Sequence, residues 1–109
     1  MRLLRFLALG AALLPLAVQP AAAQAVPPIG HWASAAGNAL VVNDDATCGY
    51  MTSQLRVQGN CSWHGSGPAD GVLVIDFTNA NQALQQMFVS IHWINYGRIL
   101  VLGEAFQRR

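Results

Sequence analysis

Few residues in this chain have types and spacings suited to chemistry. Each of the three tryptophans stands beside a histidine, as His31-Trp32, Trp63-His64 and His92-Trp93. Three histidines supply enough ligands for zinc if the fold gathers them. They come from distant segments with no shared short spacing, so no metal site is expected of them. On a strand, adjacent side chains point to opposite faces. Tryptophans that face a core would therefore leave all three histidines in solvent. Asp76, His92 and Glu104 each interrupt an apolar stretch. Side by side on neighbouring strands, they would form a carboxylate–imidazole–carboxylate group able to do general acid–base work. A one-residue slip of register sends any of them to the other face. The polar face of a half-buried sheet reads the same way. The chain has no G-x-S-x-G, no phosphate loop and no H-E-x-x-H, so neither an enzyme nor a bound cofactor is expected.

Cys48 and Cys61 are the only cysteines. In an exported chain they have one pairing available, a structural disulfide. It closes a loop of about 14 residues, which chain entropy values at about 3 kcal/mol. A thiol–disulfide catalyst usually keeps its cysteines as C-x-x-C, and zinc needs further ligands nearby, so the bridge is read as a staple. Asn60-Cys61-Ser62 matches the glycosylation sequon. Because its middle residue is the expected disulfide partner, the match is taken as chance.

Export is read from the N-terminus. Arg2 and Arg5 precede an apolar run from Phe6 to Val18, and small residues follow as A-x-A at Ala21/Ala23. That order is a secretory signal peptide of bacterial type over residues 1–23. The run is shorter than the roughly 20 residues that a spanning helix needs. No cysteine stands at the cleavage point, so membrane contact is expected only through the removed signal. Beyond it, four arginines oppose five acidic residues and there is no lysine. No basic patch is visible that would hold nucleic acid. The processed chain is expected in the periplasm or outside the cell, with an extended leader at 24–29 and one domain at 30–109. With 53% hydrophobic and 10% charged residues, a disordered polymer is excluded.

The domain reads as short strands. Asn38–Asn43, Cys48–Thr52, Gln54–Gln58, Cys61–His64, Val72–Phe77, Phe88–Ile94 and Ile99–Phe106 carry the apolar, β-branched and aromatic runs. Gly59-Asn60 reads as a tight turn, and Asn95-Tyr96-Gly97 as a hairpin with Gly97 at positive φ. Asn79–Met87 reads as a short helix or a loop. Six to eight close-set strands make an all-β antiparallel meander, closed into a small barrel to dispose of its edges; a sandwich is the alternative.

Gly30-His31-Trp32 at the start of the first strand resembles the G-x-W signature of lipocalin-like barrels. The resemblance implies that Trp32 plugs the closed end and that a late arginine, Arg98 or Arg108, packs across it. A second resemblance is to small secreted inhibitors of serralysin-type metalloproteases, in which an N-terminal leader (here Gln24–Ile29) enters the protease cleft. The function expected is a secreted, non-enzymatic binding protein that holds a small apolar ligand or an envelope component. The alternative is inhibition of a secreted metalloprotease. Tyr50, Met51, Met87, Phe88 and Tyr96 are candidates to line an apolar pocket, although such residues serve equally in a core.

Overall fold

The computed structural model describes residues 23–109, so all but the last residue of the expected signal peptide (1–23) lies outside the described residues. Its regular elements are all strands: β1 (Gly30–Ser34), β2 (Ala39–Val42), β3 (Thr47–Met51), β4 (Arg56–Gly65), β5 (Asp70–Thr78), β6 (Leu84–Asn95), β7 (Arg98–Val101) and β8 (Glu104–Arg108). Each strand pairs antiparallel with the next, and β8 returns to β1 through Trp32↔Arg108 and Ser34↔Phe106. The sheet is therefore a closed barrel, not a sandwich. Closure gives each strand a neighbour on both sides, and eight strands enclose a space that the barrel's own side chains can fill.

Alternation of apolar and polar residues decides which side faces in. Along β6, Met87, Val89, Ile91 and Trp93 pack on the core while Phe88, Ser90, His92 and Ile94 stand outward. The interior is filled by Trp32, Leu40, Leu73, Ile75, Ile99 and Phe106, each at most 1% exposed. At the edge of this core the buried Cys48 and the partly buried Cys61 form a disulfide between β3 and β4, with Cα atoms 5.9 Å apart.

Four local expectations are corrected. Gly59-Asn60 is not a turn: both residues lie within β4, which pairs with β3 up to Asn60 and with β5 from Asn60 onward. A methyl group on Gly59 would collide with the Asp76 carbonyl, so this glycine marks the corner where β4 changes partners. Asn79–Met87 is neither one helix nor one loop. Asn79 Oδ1 accepts from the N–H groups of Asn81 and Ala83 to shape a turn, and Leu84–Met87 already belongs to β6. The hairpin at Tyr96-Gly97 forms, but Gly97 is not among the positive-φ glycines. Its N–H donates to Asn95 Oδ1 at 2.9 Å, so a side chain closes the turn.

The fourth correction concerns Ile99–Phe106, which is two strands. Leu102 and Gly103 form a two-residue turn at φ 52° and 84°. Leucine is a poor residue for the left-handed region, which conceals the turn in the sequence. Leu102 is also 46% exposed, so it has little burial to lose. Leu102→Asn, which makes the Asn-Gly pair favoured in such turns, is expected to stabilise the barrel by about 1 kcal/mol. A rise of about 4–8 °C in Tm is the readout; an unchanged or lower Tm would show that the turn stores no strain.

Candidate functional site

One end of the barrel carries the Asn43–Ala46, Ser66–Ala69 and Tyr96-Gly97 connections together with the last residues of β8. The leader, Gln24–Ile29, crosses this end. Its two prolines have no N–H, so the segment cannot join the sheet as a full strand, yet its carbonyls still need donors. The tryptophans supply them, since an indole N–H only donates. Trp63 Nε1 donates to the Ala25 carbonyl at 2.8 Å, Trp93 Nε1 to Val26 at 2.8 Å and Trp32 Nε1 to Pro28 at 2.9 Å. The Ala25 N–H donates to the Gly67 carbonyl at 2.8 Å.

Arg108 completes the clamp. Its Nη1 donates to the Ile29 carbonyl at 2.9 Å and its Nε to the Tyr96 carbonyl at 3.0 Å. The guanidinium lies 4.2 Å from the Trp32 ring centroid and 4.0 Å from that of Tyr96. Of the two arginines expected to cross Trp32, the one in place is therefore Arg108. Trp32 and Trp93 meet edge to face at 5.6 Å. Two glycines make room. Gly30, at φ 134°, leaves space for Arg108 Nη1, which would lie 2.6 Å from an added Cβ, and the Trp63 ring occupies the space above Gly71.

Val26 (63%), Ile29 (42%) and Tyr96 (77%) are exposed around this clamp. Beside them an open groove of about 490 Å³ is walled by Val26, Pro27, Ile29, Trp93, Tyr96 and Arg108. The feature that sequence reasoning missed is the leader as hydrogen-bond partner of all three tryptophans. The signal was available in a proline-bearing segment short of donors and three donor-only side chains, but nothing in the spacing linked them.

The acid–base group does not assemble. His92 Nδ1 lies 2.7 Å from Asp70 Oδ1 on the outside of the barrel, with both side chains about half exposed. Asp76 accepts from Gln86 Nε2 at 2.9 Å towards the opposite end. Glu104 accepts from Asn38 Nδ2 at 2.8 Å, also at that opposite end. The reason is register: Asp70 faces His92 across β5–β6, whereas Asp76 is paired with Gln86 six residues along. His31, His64 and His92 are all exposed, and His64 Nε2 lies 3.1 Å from Ser62 Oγ. Among the described residues, no group of three or more His, Cys, Asp and Glu is placed to hold a metal ion.

The five pocket candidates lie in different places. Tyr50 is in the core, 6% exposed, with its ring 6.5 Å from Phe106. Burial pushes its phenol above the usual tyrosine range, and the Glu104 carboxylate adds to the shift. Met87 packs against the same core. Phe88 is 61% exposed on the outer face of β6. Met51 borders an outer groove over Gly49, with Val41 and Gln58. Tyr96 alone belongs to the leader end.

Fold and site together describe an all-β, disulfide-stapled eight-stranded barrel with one end covered by its own N-terminal segment. Compared with protein families, curated proteins and solved structures, the chain matches none. Among the described residues no helix is long and apolar enough to cross a membrane.

Proposed function

We propose that this is a non-enzymatic binding protein, exported to the periplasm or beyond, that holds a small apolar ligand or the apolar part of an envelope component at its leader-covered end. The observation that carries this reading is the clamp. Val26, Ile29 and Tyr96 present exposed apolar surface on a backbone that Trp32, Trp63, Trp93 and Arg108 hold still. Preorganisation of this kind lowers the ordering cost of binding. The core side chains fill the barrel interior, so the ligand sits in the groove of about 490 Å³ beside the leader and not within the strands.

A second reading, inhibition of a secreted metalloprotease through the leader, draws on the same fixed backbone. Extending Gln24–Ile29 into a cleft would break five hydrogen bonds, so in this reading the leader acts in place, as a rigid ridge.

One experiment addresses both. The neutral apolar probe N-phenyl-1-naphthylamine is titrated against the protein, following the probe's own emission, and a panel of secreted metalloproteases is assayed with and without the protein. Saturable probe binding with a rising Tm is expected. Val26→Asp with Ile29→Asp should abolish binding with little change in the protein's own Tm, since both side chains are exposed. Absence of saturable binding by the parent would overturn the first reading. Inhibition that survives the double substitution would overturn the second.

A further inference from the structure

Each strand has two neighbours, but not along its whole length. β6 runs from Leu84 to Asn95, whereas its neighbour β7 spans only Arg98–Val101. The two pair from Ile91 to Asn95 and no further. On this side the last hydrogen bond runs from the Leu102 N–H to the Ser90 carbonyl, at 2.9 Å. Beyond it β6 continues on β5 alone, through Val74↔Phe88, Asp76↔Gln86 and Thr78↔Leu84. Among the described residues, no strand pairs with the other side of Leu84–Val89.

Backbone groups of successive strand residues point to alternate sides. The Trp93 N–H donates towards β5, to the Ala69 carbonyl at 2.7 Å, while the Ser90 carbonyl faces β7. By this alternation the N–H and C=O groups of Leu84, Gln86 and Phe88 face the open side. Such an edge is a template for a further strand, and natural proteins usually blunt it with charge or proline. From Asn79 to Ile91 this chain has neither. Leu84 is 79% exposed and Phe88 61%, and the period of two puts them on one face with Gln86.

The occupant that fits is the same segment of a second copy. Antiparallel pairing about a two-fold axis at Gln86 sets Leu84 against Phe88 of the second copy, and Phe88 against its Leu84. Gln86 then meets its own counterpart. All of these are hydrogen-bonded pairs, because each residue has its backbone groups on the open side. Moving the axis to Gln85 or Met87 would set Leu84 or Phe88 against Gln86 and lose the apolar contacts. We propose that the protein forms a two-fold dimer by joining its β6 edges over Leu84–Phe88. Each copy covers the other's open edge, so assembly stops at two. Asp76 and its counterpart lie on the outer strands, roughly 14 Å apart by strand spacing, where salt screens their repulsion. The two leader ends point in opposite directions, and the proposal is independent of what they bind. An edge contact this short falls below the roughly 1,200 Å² of standard interfaces, so dissociation in the micromolar range is expected.

The test is sedimentation equilibrium of the processed protein from about 1 μM to 1 mM. A monomer–dimer equilibrium is expected. Phe88→Lys should weaken it about tenfold or more, since the lost cross-strand contact occurs twice. Gln86→Pro removes an N–H that faces the open edge and leaves the ladder to β5 intact, so it should abolish the dimer. Both side chains are exposed, and the Tm of either variant as monomer should stay within a few degrees of the parent's. Gln86→Cys reads the register: only at the axis does a residue meet itself, with Cα atoms about 5.5 Å apart, within disulfide reach. Ser90→Cys is the control that should not cross-link. A monomer throughout, a larger assembly, or a dimer that persists in Phe88→Lys and Gln86→Pro would overturn the proposal. Cross-linking by Ser90→Cys as readily as by Gln86→Cys would overturn it as well.

Discussion

Trp32→Ala is expected to leave little folded protein at 37 °C. Trp32 is 1% exposed and is the largest fully buried side chain. Truncating such a residue costs about 3–5 kcal/mol through lost transfer energy and the cavity left behind. Here the loss spreads. The Pro28 carbonyl loses its buried donor, which adds about 1–3 kcal/mol. Trp93 loses its edge-to-face partner and Arg108 one of the two rings that hold it. A small domain has only about 5–15 kcal/mol in all, so the deficit approaches the whole. Thermal melting followed by circular dichroism is the measurement. Trp32→Phe, which keeps much of the apolar volume but removes the N–H, should fall between parent and alanine variant. A Tm for Trp32→Ala within a few degrees of the parent would show that the tryptophan plug contributes little to the fold.

Loss of the disulfide is the next largest effect. Joining residues 13 apart restricts the unfolded chain by about 3 kcal/mol. Cys48 is also 2% exposed within the core, so Cys48→Ala with Cys61→Ala adds a packing loss to the entropic one. Urea denaturation should show a lower midpoint and, since the unfolded chain expands without its cross-link, a steeper slope. Reduction of the unmodified protein should reproduce the slope change with a smaller shift, because the sulfur atoms remain as packing. A midpoint that does not move on reduction would mean that the unfolded loop is already ordered, and the entropic account of the bridge would fail.

Much of the architecture was legible in the residue pattern. The β-branched and aromatic runs of Val72–Phe77 and Phe88–Ile94 read as strands, and they are strands. The pairing of Cys48 with Cys61 followed from there being no other cysteine. Misreadings fell where local chemistry and global geometry part company. Gly59-Asn60 has turn composition, but a barrel corner also requires a glycine, because another backbone passes where a side chain would be. Leu102-Gly103 is a turn that leucine does not announce. The grouping of Asp76 with His92 failed because pairing across β5–β6 is counted from the turn, and that register brings Asp70 opposite His92 instead.

By itself the sequence determined most of the strand content and the disulfide. These depend on side-chain type and on a period of two, which are local properties of the chain. Only the tertiary structure decided that eight strands close, that the leader lies across one end, and that Arg98, Arg108 and Arg109 share that end with Val26, Ile29 and Tyr96. Those are long-range facts. The carbonyls of Ala25 and Val26 meet Trp63 and Trp93 across 38 and 67 residues of chain. Spacing along a sequence carries no information about such a meeting until the strands have been counted, paired and brought round into a barrel.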